Sequence, residues 1–179
     1  MGRVYESVSG GVRQFIEKQS MFFVATAPLA SDGHVNLSPK GLDTFRIIDD
    51  HTVAYLDLTG SGAETIAHIN ENGRITIMFC AFSGPPRIVR VYGTGRVIRS
   101  GDEFAQMAES FEEFTATRSF VVVDVDRVSD SCGYGVPLME LVEDRSRLIE
   151  WAADKTGDDL TAYWAEKNHV SIDGLPAVQ

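Results

Sequence analysis

The sequence predicts a mainly β (α+β) protein whose antiparallel strands close into a barrel. Short strand-like segments follow one another closely along the chain, which favours antiparallel pairing. One helical segment is inserted near the middle. The longest strand-like segment, Arg87 to Arg99, contains Gly93 and Gly95. Glycines inside a strand predict a bulge or a sharp bend, as barrels need at their corners.

Composition predicts one soluble globular domain over residues 1–179, since 44% of the residues are hydrophobic and 23% are charged. The net charge of −10 disfavours a nucleic-acid partner. There is no apolar run of membrane-spanning length and no secretory-signal pattern at the N-terminus. Two scattered cysteines, Cys80 and Cys132, make no disulfide framework, although the sequence alone leaves open a single disulfide between them. We therefore expect a cytoplasmic protein that acts on neither nucleic acid nor membrane.

The N-terminal half begins with apolar residues at helical spacing, which predict an amphipathic helix over Ser7 to Gln19. Four strand-like segments follow: Met21–Ala27, His34–Lys40, Phe45–Ile48 and Thr52–Leu58. The Gly-rich turn Thr59 to Ala63 then opens a helix. Ser61 and Glu64 have capping-box spacing, which predicts a helix start at Gly62 or Ala63. Asn72-Gly73 ends that helix.

The C-terminal half contains further strands at Arg74–Phe82, Arg87–Arg99 and Ser119–Val128. Helical spacing is found over Gly101–Phe114, Arg145–Lys155 and Leu160–Asn168. An irregular loop is expected over Ser131 to Leu138, and an extended tail over His169 to Gln179. The inserted helix and the glycine bends favour a closed barrel over an open sheet.

The strand His34 to Lys40 alternates in polarity, so that Asn36, Ser38 and Lys40 share one face. This face has two interpretations. It is either the solvent face of an exposed strand, or a polar row that lines a ligand groove. In the second case Lys40 would supply charge-assisted hydrogen bonds to a phosphate.

The Gly-rich turn also has two interpretations. A well-capped helix explains Ser61 and Glu64 without a ligand, whereas a helix N-terminus after such a turn can bind a phosphate. Glu64 weighs against the phosphate because its carboxylate would use the same positive end. The P-loop pattern is absent. Residues three apart on a strand point to opposite faces, so Arg87 and Arg90 cannot both line one pocket unless a bulge intervenes. Arg87, beside the Pro85-Pro86 loop, is the better ligand candidate.

Other chemistry finds little support in the sequence. The four histidines are dispersed without metal-ligand spacing, so we predict no metal site. The GxSxG motif of serine hydrolases is absent. Cys132 lies in a Gly-rich loop but has no identified partner histidine. Catalytic residues stay unassigned.

Four segments, in this order, resemble the pyridoxamine 5′-phosphate oxidase-like superfamily of flavin-binding split barrels: MFFVATA, HVNLSPKG, HTVAYLDLTGSGAETIAHINENGRITIMF and PRIVRVYGTGRV. The resemblance runs from about Arg13 to Val128. The runs SCGYGVP and SIDGLP resemble a branch of the superfamily without an established activity. The resemblance implies a six-stranded antiparallel split β-barrel over about 13–128, with flanking helices and a C-terminal loop and helices over about 129–179.

The same resemblance implies a homodimer with two FMN molecules at the subunit interface. Lys40 would contact the phosphate, and Arg87 would lie near the cofactor. The residues that would surround the phosphate and ribityl chain are Ser61, Gly62, Glu64 and Thr65. With the rest of the polar row, the predicted cofactor-binding residues are Asn36, Ser38, Lys40, Ser61, Gly62, Glu64, Thr65 and Arg87.

Two departures from the family pattern bear on activity. True oxidases carry a basic Ser-Arg-Lys-type segment where this chain has Ser61 to Glu64, and they carry a C-terminal Arg-rich signature that is absent here. We therefore expect an FMN-binding flavoprotein, an oxidoreductase with another small-molecule substrate, rather than a true pyridoxamine phosphate oxidase. The alternatives are an F420-dependent reductase on the same fold, a non-catalytic flavin- or haem-binding protein, and a dimeric barrel with no cofactor.

Overall fold

The structure, a computed structural model, describes residues 2–179 as one curled antiparallel sheet with helices around it. The strands are β1 Val4–Tyr5, β2 Phe22–Thr26, β3 Asn36–Lys40, β4 Phe45–Ile47, β5 Thr52–Leu58, β6 Arg74–Cys80, β7 Ile88–Ile98 and β8 Thr117–Ser131. The helices are α1 Gly10–Ile16, α2 Glu64–Asn72, α3 Asp102–Ala108, α4 Arg147–Ala153 and α5 Gly157–Lys167. The predicted mainly β class with flanking helices is confirmed.

The sheet runs in the order β3-β2-β6-β7-β8-β5-β4, and every neighbouring pair is antiparallel. The expected six strands are therefore seven along this path, because the three-residue β4 pairs with β5 and extends the sheet. The short β1 pairs with β8 outside the path. The two ends of the sheet return toward each other, since Lys40 of β3 contacts Asp57 of β5. Side chains rather than backbone hydrogen bonds thus cross the gap between them.

The bend predicted from the glycines of β7 is confirmed. The pairing of β7 with β8 shifts register between Tyr92 and Gly93. A Cβ atom at Gly93 would lie 2.1 Å from the backbone oxygen of Asp124, and one at Gly95 would lie 3.0 Å from Ile69 Cδ1 of α2. The absence of side chains here lets β8 and α2 approach the bent strand.

The interior of the curled sheet is filled by the largest apolar cluster, whose buried aromatic members are Phe22, Tyr55 and Phe79. Helix α1 packs against this cluster through Val12 and Ile16. On the other face, residues in and after α3 pack around Phe120. A third cluster joins α2 to the C-terminal residues Ala177 and Val178.

Helix α2 differs from its predicted start. It begins at Glu64 with Ala63 as N-cap and has no side-chain cap, so the predicted capping box of Ser61 and Glu64 is wrong. The Glu64 carboxylate instead accepts the backbone N–H of Ile172 at 3.2 and 3.3 Å. Gly73 ends the helix in the left-handed conformation, at φ 71°. The tail is not simply extended, because Val170 and Pro176 form an isolated bridge.

We predict that Gly93→Ala destabilises the protein by about 2 kcal/mol or more, because the new methyl group has no room beside β8. The free energy of unfolding in urea measures this loss. Gly135→Ala is the matched control, since a Cβ at Gly135 meets no atom within 4 Å. Equal stability of the two variants would contradict the tight approach of β7 and β8.

Candidate ligand-binding site

The polar row of β3 faces the inside of the barrel. Asn36, Ser38 and Lys40 are each half-buried, while the alternate residues Leu37 and Pro39 are exposed. In the β2–β3 ladder the row lies opposite the buried residues of β2: Thr26, Val24 and Phe22. Cross-strand partners share a face. The three residues therefore lie on the inner face of the sheet, and the interpretation of this row as the solvent face of an exposed strand is wrong.

A buried carboxylate lies at the end of this row. Asp57 of β5 is 2% exposed and is held by two cations. Arg118 donates from Nε to Oδ2 at 2.9 Å, and Lys40 Nζ lies 3.4 Å from Oδ1. The Ser119 hydroxyl donates to Oδ2 at 3.2 Å. Because β3, β5 and β8 each supply one charged group, this cluster ties three strands together across the gap.

The charges of this cluster do not cancel. Burial by itself raises the pKa of Asp57, but the positive charges of Arg118 and Lys40 outweigh that effect and hold the pKa below its ordinary value. Asp57 is therefore ionised at neutral pH, and two cations surround one anion. Arg118 is 4% exposed and Lys40 23% exposed. The net positive charge is thus presented to solvent through Lys40, in a protein with an overall charge of −10.

Arg118 also fixes the Gly-rich turn. Its Nη1 donates to the backbone oxygen of Gly62 at 2.9 Å and to Asn168 Oδ1 at 2.8 Å. The fully buried Asn168 in turn donates to the backbone oxygen of Gly60 at 3.1 Å. The turn is therefore held from beneath by β8 and by the residue that follows α5. Meanwhile Ser61 and Gly62 stay exposed.

The rest of the row is tied to α2. Ser38 donates to Asn36 Oδ1 at 3.0 Å, and Asn36 donates to Thr65 Oγ1 at 3.0 Å and to Thr26 Oγ1 at 3.2 Å. Thr26 Oγ1 lies 3.0 Å from Nδ1 of the fully buried His68. The structure thus brings Asn36, Ser38 and Thr65 into one hydrogen-bonded chain. Lys40 belongs to the neighbouring Asp57 cluster.

Within residues 2–179, two buried polar atoms near this chain lack a hydrogen-bond partner: the Tyr55 hydroxyl and His68 Nε2. Burial and the negative charge of Asp57 raise the pKa of Tyr55 well above its ordinary value, and the Arg118 charge opposes this only in part. The Tyr55 hydroxyl therefore stays protonated and is a donor. The Lys40 ammonium lies 5.8 Å from the centre of the Tyr55 ring, which provides a cation–π contact.

The Glu64 carboxylate, at the start of α2, is bound by the C-terminal tail. It accepts the N–H of Ile172, so the C-terminal tail neutralises part of its hydrogen-bonding capacity. The adjacent Asp173 is bound to His34 at 2.7 Å, which fastens the tail to the loop before β3. A backbone N–H carries no net charge, so the Glu64 charge remains at the helix start and still counts against a phosphate there.

Arg87 is not part of this cluster within one chain. It donates to Asp130 Oδ2 from Nε at 3.2 Å and from Nη2 at 3.0 Å. Its guanidinium stacks on Phe15, 5.0 Å from the ring centre. Asp130 lies near the C-terminal end of β8, whereas Arg118 lies near its N-terminal end. The structure therefore separates Arg87 from the other predicted site residues by most of the longest strand.

Three residues of the site were missed in the sequence: Asp57, Arg118 and Asn168. For Asp57 a signal existed, since it is the one acidic residue in the apolar strand TVAYLDL and lies on the same face as Val53 and Tyr55. A buried carboxylate requires a cationic partner. The partners themselves come from positions 17 residues before and 61 after it, so local spacing could not identify them.

Cys80 and Cys132 are both free, the first buried and the second exposed, and burial raises the pKa of the Cys80 thiol. Within residues 2–179, His, Cys, Asp and Glu side chains do not gather in a group of three that could hold a metal ion. No helix in that part of the chain combines the length and apolarity needed to cross a bilayer.

The curled antiparallel sheet, with its ends joined by side chains around a cationic polar site, defines a split β-barrel protein. The family model described as pyridoxamine 5′-phosphate oxidase matches residues 9–132. The pyridoxamine 5′-phosphate oxidase family protein ustO of Aspergillus flavus is 38% identical over 192 residues, which cover 97% of this chain and 77% of that protein. This chain belongs to the pyridoxamine 5′-phosphate oxidase family, and the resemblance found in the sequence is confirmed.

Solved structures support the fold. A variant of HupZ from Group A Streptococcus superposes with a TM-score of 0.56 at 23% identity, over 69% of this chain and 99% of that one. A Clostridium acetobutylicum protein related to general stress protein 26, of the pyridoxinephosphate oxidase family, superposes with a TM-score of 0.52 at 10% identity, over 76% of this chain and 93% of that one. At these identities the likeness extends to the architecture alone.

We predict that Asp57→Asn lowers the free energy of unfolding at pH 7 by about 3–5 kcal/mol, because it leaves two cations without their shared anion. The folded-state pKa of Asp57 lies below its unfolded value. Its stabilising effect is therefore complete above the ordinary aspartate pKa and is lost as pH falls through the folded value. The difference between wild type and variant should narrow over that acidic range in urea denaturation.

Asp126→Asn is the control for this substitution. Asp126 lies on the exposed side of β8 and makes no ion pair within residues 2–179. We expect it to change stability by less than about 0.5 kcal/mol. A gap between wild type and Asp57→Asn that stayed constant down to acidic pH would show that the Asp57 charge is not what stabilises the cluster.

Proposed function

We propose that this chain is an FMN-binding flavoprotein that acts as an oxidoreductase on a small molecule, with the FMN phosphate at the Lys40 end of the polar row. The observation that carries the proposal is the uncompensated charge of the Asp57 cluster. Arg118 already neutralises Asp57, so the partly exposed Lys40 ammonium keeps hydrogen-bonding capacity for an outside anion.

The donors around this position suit a phosphate. An ammonium carries three N–H donors, and Asp57 accepts from Lys40 only at the long distance of 3.4 Å. The Ser61 hydroxyl is exposed on the turn, and a Cβ at Gly60 would meet nothing within 4 Å, so the turn leaves open space. The N-terminus of α2 follows at Glu64 and favours negative charge. A donor-rich and open corner is what a phosphate monoester requires.

A bound flavin would supply the hydride and electron chemistry, and the chain would bind, orient and shield it. Lys40 would neutralise phosphate charge. Asn36 and Ser38 would offer polar contacts along the row, since they lie on the same face of β3 as Lys40. Thr65 and Ser61 would flank the phosphate from the side of α2. No acid or base is assigned to the chemical step.

A homodimer is part of this proposal. Leu37, on the outer face of β3, is 62% exposed, and Val35, just before the strand, is 74% exposed. A second copy of the chain would remove such apolar surface from water. A second copy is also the route by which Arg87 could reach the site, because within one chain it lies toward the other end of β8. The two free cysteines are compatible with the cytoplasm as the proposed location.

Pyridoxamine phosphate oxidation is not the activity that we propose. The turn from Ser61 to Glu64 lacks the basic residues of the true oxidases, and Lys40 and Arg118 supply the local positive charge instead. The substrate is therefore expected to be another small molecule.

The absorbance spectrum of the purified protein, before and after addition of FMN and removal of the excess, tests the proposal. We expect flavin bands at about one equivalent per chain, and reduction of the bound flavin by a nicotinamide cofactor or by a substrate. A colourless protein that retains no FMN would overturn the proposal. Retention of F420 or haem instead would show that this compound, and not FMN, is the cofactor. Bound flavin without turnover would support the FMN-binding part of the proposal and would overturn the oxidoreductase activity.

We predict that Lys40→Met raises the dissociation constant for FMN by about 10- to 100-fold, the scale of one lost charged hydrogen bond. Titration monitored by flavin fluorescence measures it. Lys167→Met is the control, since Lys167 is exposed and forms its ion pair with the exposed Glu166. Unchanged affinity in Lys40→Met, with the control also unchanged, would remove Lys40 from the FMN site.

A further inference from the structure

A cavity adjoins the proposed flavin site. It has a volume of about 800 Å³ and lies between the end of β3, the segment before β2 and the chain around α4. Met139, at one wall, is fastened by its N–H to the backbone oxygen of Phe82 at 2.9 Å. Segments more than 100 residues apart thus enclose one space. Lys40 is the one residue that this cavity shares with the polar row and the Asp57 cluster, among the residues that the structure describes.

The walls of the cavity are largely apolar. The side chains that give it this character are Met21, Leu42, Phe82, Met139, Leu148 and Trp151. Leu42 is one of two non-glycine residues with positive φ in the described chain, at 61°. A leucine in this conformation costs on the order of 1 kcal/mol, which the surrounding structure must offset.

The charged residues of the lining are distributed unevenly. Four are cations and three are carboxylates: Lys18, Lys40, Arg145 and Arg147 against Glu140, Glu143 and Asp144. Lys40 alone among these seven is half-buried, and the other six are exposed at the rim. Rim charges are screened by water, whereas a half-buried cation acts at higher strength. The inner end of the cavity therefore favours an anion.

We infer that this cavity binds an apolar organic anion, an aromatic or long-chain acid, with its apolar body against Leu148 and Trp151 and its charge toward Lys40. The binding of such an anion is independent of any flavin. Its role as the substrate of the oxidoreductase rests on the proposed function, because Lys40 borders both this cavity and the proposed position of the FMN phosphate. An apolar pocket with one convergent charge is a common form of small-molecule site.

The probe for the test is 8-anilinonaphthalene-1-sulfonate, an aryl anion, compared with its neutral counterpart N-phenyl-1-naphthylamine. We expect one saturable site per chain, and binding of the anion at least about fivefold tighter than the neutral compound. Trp151 lines the cavity and the other tryptophan, Trp164, does not. The bound anion should therefore quench tryptophan emission in the wild type and much less in Trp151→Phe. Equal affinity for the two probes would overturn the assignment of an anion.

Leu148→Gln and Ile149→Gln form a matched pair on adjacent positions of α4. Leu148 is half-buried and lines the cavity, whereas Ile149 is 47% exposed and does not. We expect about a tenfold weaker anion affinity in Leu148→Gln, the effect of replacing a buried leucine contact, and none in Ile149→Gln. Urea denaturation verifies that both variants are folded. Equal affinities in the two would overturn the inference, and the probe comparison on the wild type stands without either variant.

Three further outcomes are decisive. If Leu148→Gln retains FMN but loses the anion, the inference holds separately from the proposed function. If FMN displaces the probe competitively, the two anions compete for Lys40 or for the cavity itself, so the anion site is not separate from the flavin site and the inference is overturned. If the wild type forms a dimer from which the probe is excluded, and Leu148→Gln weakens that dimer, the cavity is covered by a second copy of the chain and the inference is likewise overturned.

Discussion

The structure depends on the buried carboxylate of Asp57. It lies between Arg118 of β8 and Lys40 of β3, so one side chain of β5 joins both sides of the gap in the barrel. A carboxylate with 2% exposure requires a charged partner, and the loss of Asp57 would leave the buried Arg118 guanidinium unpaired. The strands must therefore curl far enough to bring these groups together. The same requirement brings an excess of positive charge to the mouth of the barrel.

This cluster also organises the elements around it. Arg118 reaches the Gly-rich turn at Gly62 and the buried Asn168 beyond α5, so the C-terminal helix and the turn are held by one guanidinium. The tail continues from there to Glu64, whose carboxylate accepts the Ile172 N–H. Planar guanidinium groups suit such a junction because they offer five donors in a fixed geometry. The residues at the proposed phosphate position therefore belong to the same hydrogen-bonded network that stabilises the fold.

Much of the fold could be predicted from the sequence because its signals are local. Alternation placed Asn36, Ser38 and Lys40 on one face, and the glycines of β7 marked a bend that the structure confirms at Gly93. Local signals failed where a distant residue competed for a group. Ser61 and Glu64 have capping-box spacing, but Ile172, 108 residues later, takes the Glu64 carboxylate. The separation of Arg87 from the polar row likewise follows from the length of β8, which no spacing reveals.

The sequence by itself determined the mainly β class, the order of strands and helices and the family, because periodicity, turn residues and ordered segments are properties of short stretches of chain. Only the tertiary structure decided which face of β3 is inside, that Asp57 pairs with Lys40 and Arg118, and that Lys40 borders a cavity. The physical reason is that burial and ion pairing depend on distances between segments far apart in sequence. Those distances are set when the whole sheet curls, and by no local preference.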